Sequence, residues 1–327
     1  MKKVWKISKY GIVFIALVLI WALTFGFSAN KPGSFYNTGD NAVWLEHAWV
    51  GEYKSEAEIR NLVADLIEYD FSTAFVHVGP LKSDGTIDPE TYEYSIHFVD
   101  TFKKFDKDIE LQAWMGQIRH RIDLDDPEVR HNVVKKSIIM SQMVGFDGIH
   151  FDIEPAHDYD SGFIDLLKET RAGLPEDKVI SVALAKFIPR SAIWFFGNIY
   201  EFRNYSTQVN YGNVQKYADQ IAVMVYDTSI KRDWLYEWLV KEQTIWITSF
   251  LDDAKVFIGI PTYDYGDPRP WFDHEVENVR TGLRGVVKGL NNLRSDLDSF
   301  AGVAVYPYWE FDEENRAAYR ELWQGKN

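Results

Sequence analysis

Apolar and polar positions change period repeatedly along the chain. From residue 42 onward, short runs of apolar, β-branched or aromatic residues alternate with stretches whose apolar positions recur every three to four residues. That alternation is the pattern of parallel strands joined by helical crossovers. Eight runs carry the strand pattern: Ala42 to Val50, Thr73 to Gly79, Ile109 to Gly116, Gly145 to Glu154, Val179 to Ala185, Gln220 to Asp227, Val256 to Thr262 and Gly302 to Trp309. They start about 30 to 45 residues apart, enough for one strand and one helix each, so the α/β pattern predicts a single (β/α)8 TIM barrel.

The intervening helices show their own starts. Ser55-Glu56-Ala57-Glu58 reads as a capping box, followed by Ile59, Leu62, Val63 and Leu66 on one face, and Asp126-Pro127-Glu128 opens another helix. No Gly/Ser-rich or Pro-rich linker interrupts residues 42–327, which are read as one domain.

The N-terminus is a separate object. Lys2, Lys3, Lys6 and Lys9 precede an uncharged, largely apolar run from Tyr10 to Asn30. Roughly 20 apolar residues cross a bilayer, so residues 1–30 read as a signal peptide or membrane anchor, with residues 31–41 a short linker. The lysines would stay in the cytoplasm and the barrel would lie outside, tethered to the cell membrane or secreted.

Composition narrows the chemistry. Lys+Arg 35 against Asp+Glu 49 gives a net charge of −14, which disfavours nucleic acid as a partner. The absence of cysteine removes thiol nucleophiles, zinc–thiolate sites and iron–sulfur clusters.

The stretch from Gly145 to Pro155, GFDGIHFDIEP, carries the most information. With a period of two, Ile149, Phe151 and Ile153 face the helices, while His150, Asp152 and Glu154 face the barrel axis. Asp152 and Glu154 then lie roughly 6 to 7 Å apart along the strand, close enough to couple. Sharing one proton raises the pKa of one member, as a general acid working near neutral pH requires. They also sit at the C-terminal end of a barrel strand, where barrel enzymes place their chemistry.

Here the sequence resembles the family 18 glycoside hydrolases, the chitinase-like enzymes, whose fourth strand carries Asp-Gly-x-Asp-x-Asp-x-Glu. Asp147, Gly148, Asp152 and Glu154 match that motif, and His150 stands at the middle Asp. Met224-Val225-Tyr226-Asp227 is similar to the sixth-strand motif, Gly259-Ile260-Pro261-Thr262-Tyr263 to the seventh, and Trp309 falls where the eighth strand supplies a tryptophan. The third strand departs, with Ala113-Trp114-Met115-Gly116 in place of Ser-x-Gly-Gly.

The resemblance implies an exported hydrolase of β-linked N-acetylglucosamine glycans that needs no cofactor or metal. Glu154 would protonate the glycosidic oxygen, and Asp152 would hold the substrate's own N-acetyl group as nucleophile, outside the usual two-carboxylate scheme. Tyr226 would donate to the acetamido oxygen, Asp227 would position that group, and Trp309 would form the floor under the sugar. Met224 shares the strand face of Tyr226, Trp114 is a further stacking candidate, and His150 would set a titratable imidazole behind Asp152. The seventh and eighth strands are only about 38 residues apart, room for one crossover helix and no inserted subdomain, so an open groove is expected. Two other readings compete: a non-catalytic sugar-binding barrel, and a metal-dependent hydrolase in which His47, His77, His150 and Asp152 converge.

Overall fold

The computed structural model describes residues 36–190, 194, 205–266 and 269–326. The N-terminal signal or anchor segment, 1–30, and most of the linker lie outside the described residues. Among the described residues no helix is long and apolar enough to cross a membrane.

Eight strands form the barrel: β1 (Asn41–Leu45), β2 (Phe71–Pro80), β3 (Glu110–Ile118), β4 (Gly148–Glu154), β5 (Val179–Phe187), β6 (Gln220–Met224), β7 (Lys255–Pro261) and β8 (Phe300–Tyr306). Neighbours pair in parallel in chain order, and β8 returns to β1, so this sheet has no open edge. A two-residue strand, Tyr205–Ser206, adds beside the end of β5. One main helix follows each strand: α1 (Glu56–Glu68), α2 (Ser95–Phe105), α3 (Pro127–Ile138), α4 (Ser161–Gly173), α5 (Gln208–Val214), α6 (Asp233–Thr248), α7 (Val279–Leu290) and α8 (Glu313–Tyr319).

Local sequence accounts for several boundaries. Ser55 Oγ accepts from Glu58 N while the Glu58 carboxylate accepts from Ser55 N, closing the capping box of α1. Asp126 caps α3 by accepting from Glu128 N at 2.8 Å, with Pro127 in the first turn. Strand ends differ from the apolar runs. Trp49 and Val50 belong to a helical turn, Ala48–Gly51, that follows Glu46 and His47 and buries Val50, so apolar residues recur after the strand has ended. Gly145 lies outside β4, where at φ 97° it closes the preceding helical segment.

The core has two zones. Ile149, Phe151 and Ile153 are fully buried between sheet and helices with the apolar face of α1, and Trp44, Phe75, Trp114, Ala222 and Phe257 fill the barrel interior. Asp147, at the opposite end of β4 from Glu154, accepts from Lys103 Nζ at 2.5 Å and from Leu111 N at 3.0 Å, which ties β4 to β3 and α2. Gly148 sits where a Cβ would lie 2.6 Å from the Val179 carbonyl oxygen, so β4 and β5 can pair there only around glycine. Asp147 and Gly148 thus hold the strand that presents the acids. Gly148→Ala is expected to destabilise the protein by about 1–3 kcal/mol in urea unfolding, since the clash is with ladder backbone; unchanged stability would show that β5 moves freely.

Candidate active site

Asp152, Glu154, Met224, Tyr226 and Asp227 all line one cavity of about 230 Å³ at the C-terminal ends of the strands. Asp152 and Glu154 share one face of β4, Met224 and Tyr226 share one face of β6 and its continuation, and Asp227 follows in a left-handed conformation at φ 54°. Trp44, Lys186, Tyr263, Tyr265 and Tyr306 complete most of the wall.

The carboxyl groups of Asp152 and Glu154 lie close enough to interact, so ionising both at once is disfavoured. Both residues keep some surface open to the cavity, but their carboxyls are shielded within it. That shielding, then the Asp152 charge and the hydrogen bond to Asp152, pushes Glu154 well above the usual carboxylate range, against the pull of Lys186. Shielding also raises Asp152, opposed by its hydrogen bonds with Glu154 and Trp114. These opposing pulls favour the proton on Glu154. Trp114 Nε1 donates to Asp152 Oδ2 at 3.0 Å, whereas Asp152 Oδ1 is buried with no hydrogen-bond partner.

Asp227 accepts from Tyr263 Oη at 2.8 Å and is raised by burial. Burial holds the Tyr226 phenol far above its ordinary pKa, so it can serve only as a neutral hydroxyl. Its ring stacks on Tyr306 at 5.6 Å and 13°. Tyr306 in turn meets Trp44 edge-on at 5.6 Å.

Three sequence expectations are corrected. Trp309 does not form the floor: β8 ends at Tyr306, Trp309 lies in the turn Tyr308–Glu310, 43% exposed, and Tyr306 and Trp44 supply the aromatic wall. Trp114 is not a stacking surface. It is buried and spends its N–H on Asp152, with Gly116 giving its ring room: a Cβ there would lie 3.3 Å from Trp114 Nε1.

His150 touches neither the cavity nor Asp152. It is fully buried below, stacked on Phe75 at 3.8 Å, accepting from Trp44 Nε1 at Nε2 (3.1 Å) and facing Ser181 Oγ from Nδ1 (2.6 Å). An indole can only donate, so Nε2 accepts and Nδ1 carries the hydrogen, an assignment from the donor inventory. Burial pushes this imidazole down to about 3, and it is not a titratable partner for Asp152 near neutral pH.

The metal alternative fails with it. Both nitrogens of His150 are engaged, the rings of His47 and His77 stand 6.4 Å apart, and among the described residues no three His, Cys, Asp or Glu side chains are grouped to hold a metal.

Sequence reasoning missed Trp44, Lys186 and Tyr306. The inward parity of Ala42 and Trp44 on β1 was a readable signal for Trp44. Lys186 had a misleading one: it shares parity with Val182 and Leu184, which face the helices, yet it lines the cavity and its Nζ reaches the Tyr226 carbonyl at 2.5 Å.

A closed parallel barrel with a protonated carboxylic acid beside a second carboxyl, walled by tyrosines at the strands' C-terminal ends, defines an acid–base barrel enzyme. The chain belongs to the glycosyl hydrolases family 18, whose model matches residues 69–289, more than half of its length, and it is a glycoside hydrolase. Its fold is similar to the spore cortex-lytic enzyme SleL of Bacillus cereus, at 12% identity and TM-score 0.57 over 86% of this chain and 74% of that one. It is also similar to the Group IV chitinase of Ostrinia furnacalis, at 14% identity and TM-score 0.58 over 87% and 99%. A third similar structure is the family 18 chitinase of Cycas revoluta with allosamidin, at 12% identity and TM-score 0.57 over 87% and 98%. Comparison with curated protein sequences gives no match.

The hydrogen-bond pattern around His150 sets its state. Proton–nitrogen NMR is expected to show the neutral Nδ1–H tautomer with constant shifts from about pH 5 to about pH 8. A titration with a midpoint of about 6.5 would overturn the assignment.

Proposed function

We propose that this hydrolase cleaves β-linked N-acetylglucosamine glycans by substrate-assisted retention. One observation carries the reading. Asp152 presents a buried oxygen lacking a donor beside a protonated Glu154, in a cavity walled by tyrosines. A substrate acetamido N–H is a donor of the kind Asp152 Oδ1 lacks, and a buried acceptor left unfilled is costly. Glu154 then gives its proton to the leaving glycosidic oxygen, while Asp152 holds the acetamido group as its carbonyl oxygen attacks the anomeric carbon. The bond to the leaving oxygen breaks as the new C–O bond forms. Glu154, now ionised, takes a proton from the water that opens the cyclic intermediate. The Tyr226 hydroxyl supports the attacking carbonyl oxygen, and charge building on the acetamido nitrogen is countered by Asp152.

The cavity is smaller than the ~300–1,000 Å³ of common ligand clefts, which suits one sugar unit with the rest of the glycan outside. The Cycas revoluta chitinase, similar in fold, has been solved with (GlcNAc)3. Short or flexible GlcNAc polymers, such as chitin oligosaccharides, cell-wall glycan or N-glycan cores, are the substrates this reading favours. The lysine-flanked apolar run within residues 1–30 supports action outside the cell membrane.

The test is hydrolysis of a GlcNAc oligosaccharide panel with the first anomer read by NMR. Wild type should release the β-anomer and keep its activity under a chelator. Glu154→Gln should lose on the order of 10²–10⁴-fold in kcat while still binding sugar, and Tyr226→Phe on the order of 10²-fold. Activity should fall as pH rises through the raised pKa of Glu154, because the acid must be protonated to work. Near-normal turnover in Glu154→Gln would sink the mechanism, and binding without turnover in wild type would favour a sugar-binding role.

A further inference from the structure

Asp227 adopts φ 54°, a left-handed conformation that a non-glycine residue keeps only when its surroundings impose it. Both flanking peptide groups are held from other elements. Lys186 Nζ, from β5, donates to the Tyr226 carbonyl at 2.5 Å. Thr228 N donates to Glu277 Oε1 and Oε2 at 3.1 and 3.2 Å, and Thr228 Oγ1 donates to Oε1 at 2.8 Å. Glu277 directly precedes Asn278, the N-cap of α7. Lys186 and Glu277 are 4% and 1% exposed, so each is an ionisable group with little access to water, and burial pushes Glu277 up to about 7. Such groups persist when paired and hydrogen-bonded. Nothing in the reaction above uses Glu277, which does not line the cavity.

We infer that Lys186 and Glu277 are positioning residues, a buried amine and a buried carboxyl group that clamp the peptides on either side of Asp227 and so place the Tyr226 hydroxyl and the Asp227 carboxyl against Glu154. The inference rests on the substrate-assisted reading of the same site.

The charges around the clamp support it. Glu154 on β4, Asp227 after β6 and Glu277 before α7 all hold the Lys186 amine up against the burial that lowers it, and the Tyr205 ring lies 5.6 Å from Nζ. Glu154 is faced by Asp152 on its own strand, by Lys186, by Asp227 and Tyr226, and by Tyr306 on β8. Lys186 is the cation in this set. Removing it should let Glu154 keep its proton to higher pH, an effect that a purely structural role would not produce.

The variants are Lys186→Met, Glu277→Gln and their combination, compared with wild type and Glu154→Gln on the GlcNAc panel. Each single change is expected to lower kcat on the order of 10²-fold with KM little changed. The double variant should be no worse than the singles, because the two ends act as one unit. In Lys186→Met the basic limb of kcat/KM should move up by about one pH unit. Crystal structures of the variants should show Asp227 leaving the left-handed region. Near-wild-type kcat, or an unmoved basic limb with multiplicative losses, would overturn the clamp.

If Lys186→Met does not fold, Glu277→Gln carries the test, since it keeps the volume and one acceptor, and unchanged kcat in it overturns the inference. If wild type turns over nothing on the panel, the reaction assignment fails on its own. The clamp is then judged from the variant structures, where an unchanged Asp227 rules it out.

Discussion

The contact between the carboxyl groups of Asp152 and Glu154 constrains everything built around it. Two carboxylates shielded from water cannot both ionise cheaply, so one proton stays with the pair. The surroundings then decide which member keeps it. Asp152 receives the indole N–H of Trp114, which favours its charged form, while Glu154 faces the charges of Asp152 and Asp227 with Lys186 as the opposing cation. The remaining titratable groups of the wall are phenols that burial keeps protonated, so they add hydrogen-bond donors without adding charge. The result is an acid that stays loaded beside an anion with an unfilled oxygen.

What lies beneath the pair is polar yet uncharged near it. From Trp44 each member donates downward: to His150, then to Ser181, to Gln112, and from Gln112 to Gln220 and Glu110. A single direction of donation satisfies every member, and reversing one link would set two donors against each other. A proton added to His150 would do that at Nε2, over and above the cost of burying charge. The acid–base chemistry above is thereby insulated from the imidazole, although the two lie on one strand two and four residues apart.

How much of this was readable follows from the range of the signals. The period of two along β4 and the capping residues of α1 and α3 are local, and they placed Asp152 and Glu154 together on the inward face. The strand count was legible because each βα unit repeats the same pattern. Strand ends were less so: at Trp49 and Trp309 an aromatic residue recurs after the backbone has already turned. Whether His150 titrates and whether Trp114 stacks or donates depend on neighbours from β1, β3 and β5, which parity alone does not name. Lys186 defeated parity outright, because its long stem reaches around the end of β5 to the Tyr226 carbonyl. Glu277, 49 residues from Thr228 in sequence, left no local mark at all.

The connection between β7 and α7, residues 262–278, has two roles. Tyr263 and Tyr265 from it build one side of the cavity, with Phe272 packed behind Tyr263 at 4.2 Å. The same connection holds the loop after β6: Ser229 N donates to the Trp271 carbonyl at 2.9 Å, Lys231 Nζ to the Arg269 carbonyl at 2.7 Å, and Thr228 to Glu277. Without an inserted subdomain to brace either loop, each is braced by the other. The aromatic wall that would pack on a sugar and the backbone that fixes Asp227 are therefore parts of one laced unit, and a displacement of one must be felt by the other. A displacement of Tyr263 is coupled in this way to the geometry of Asp227, through the hydrogen bond that joins them, and to Tyr226 through ring contact.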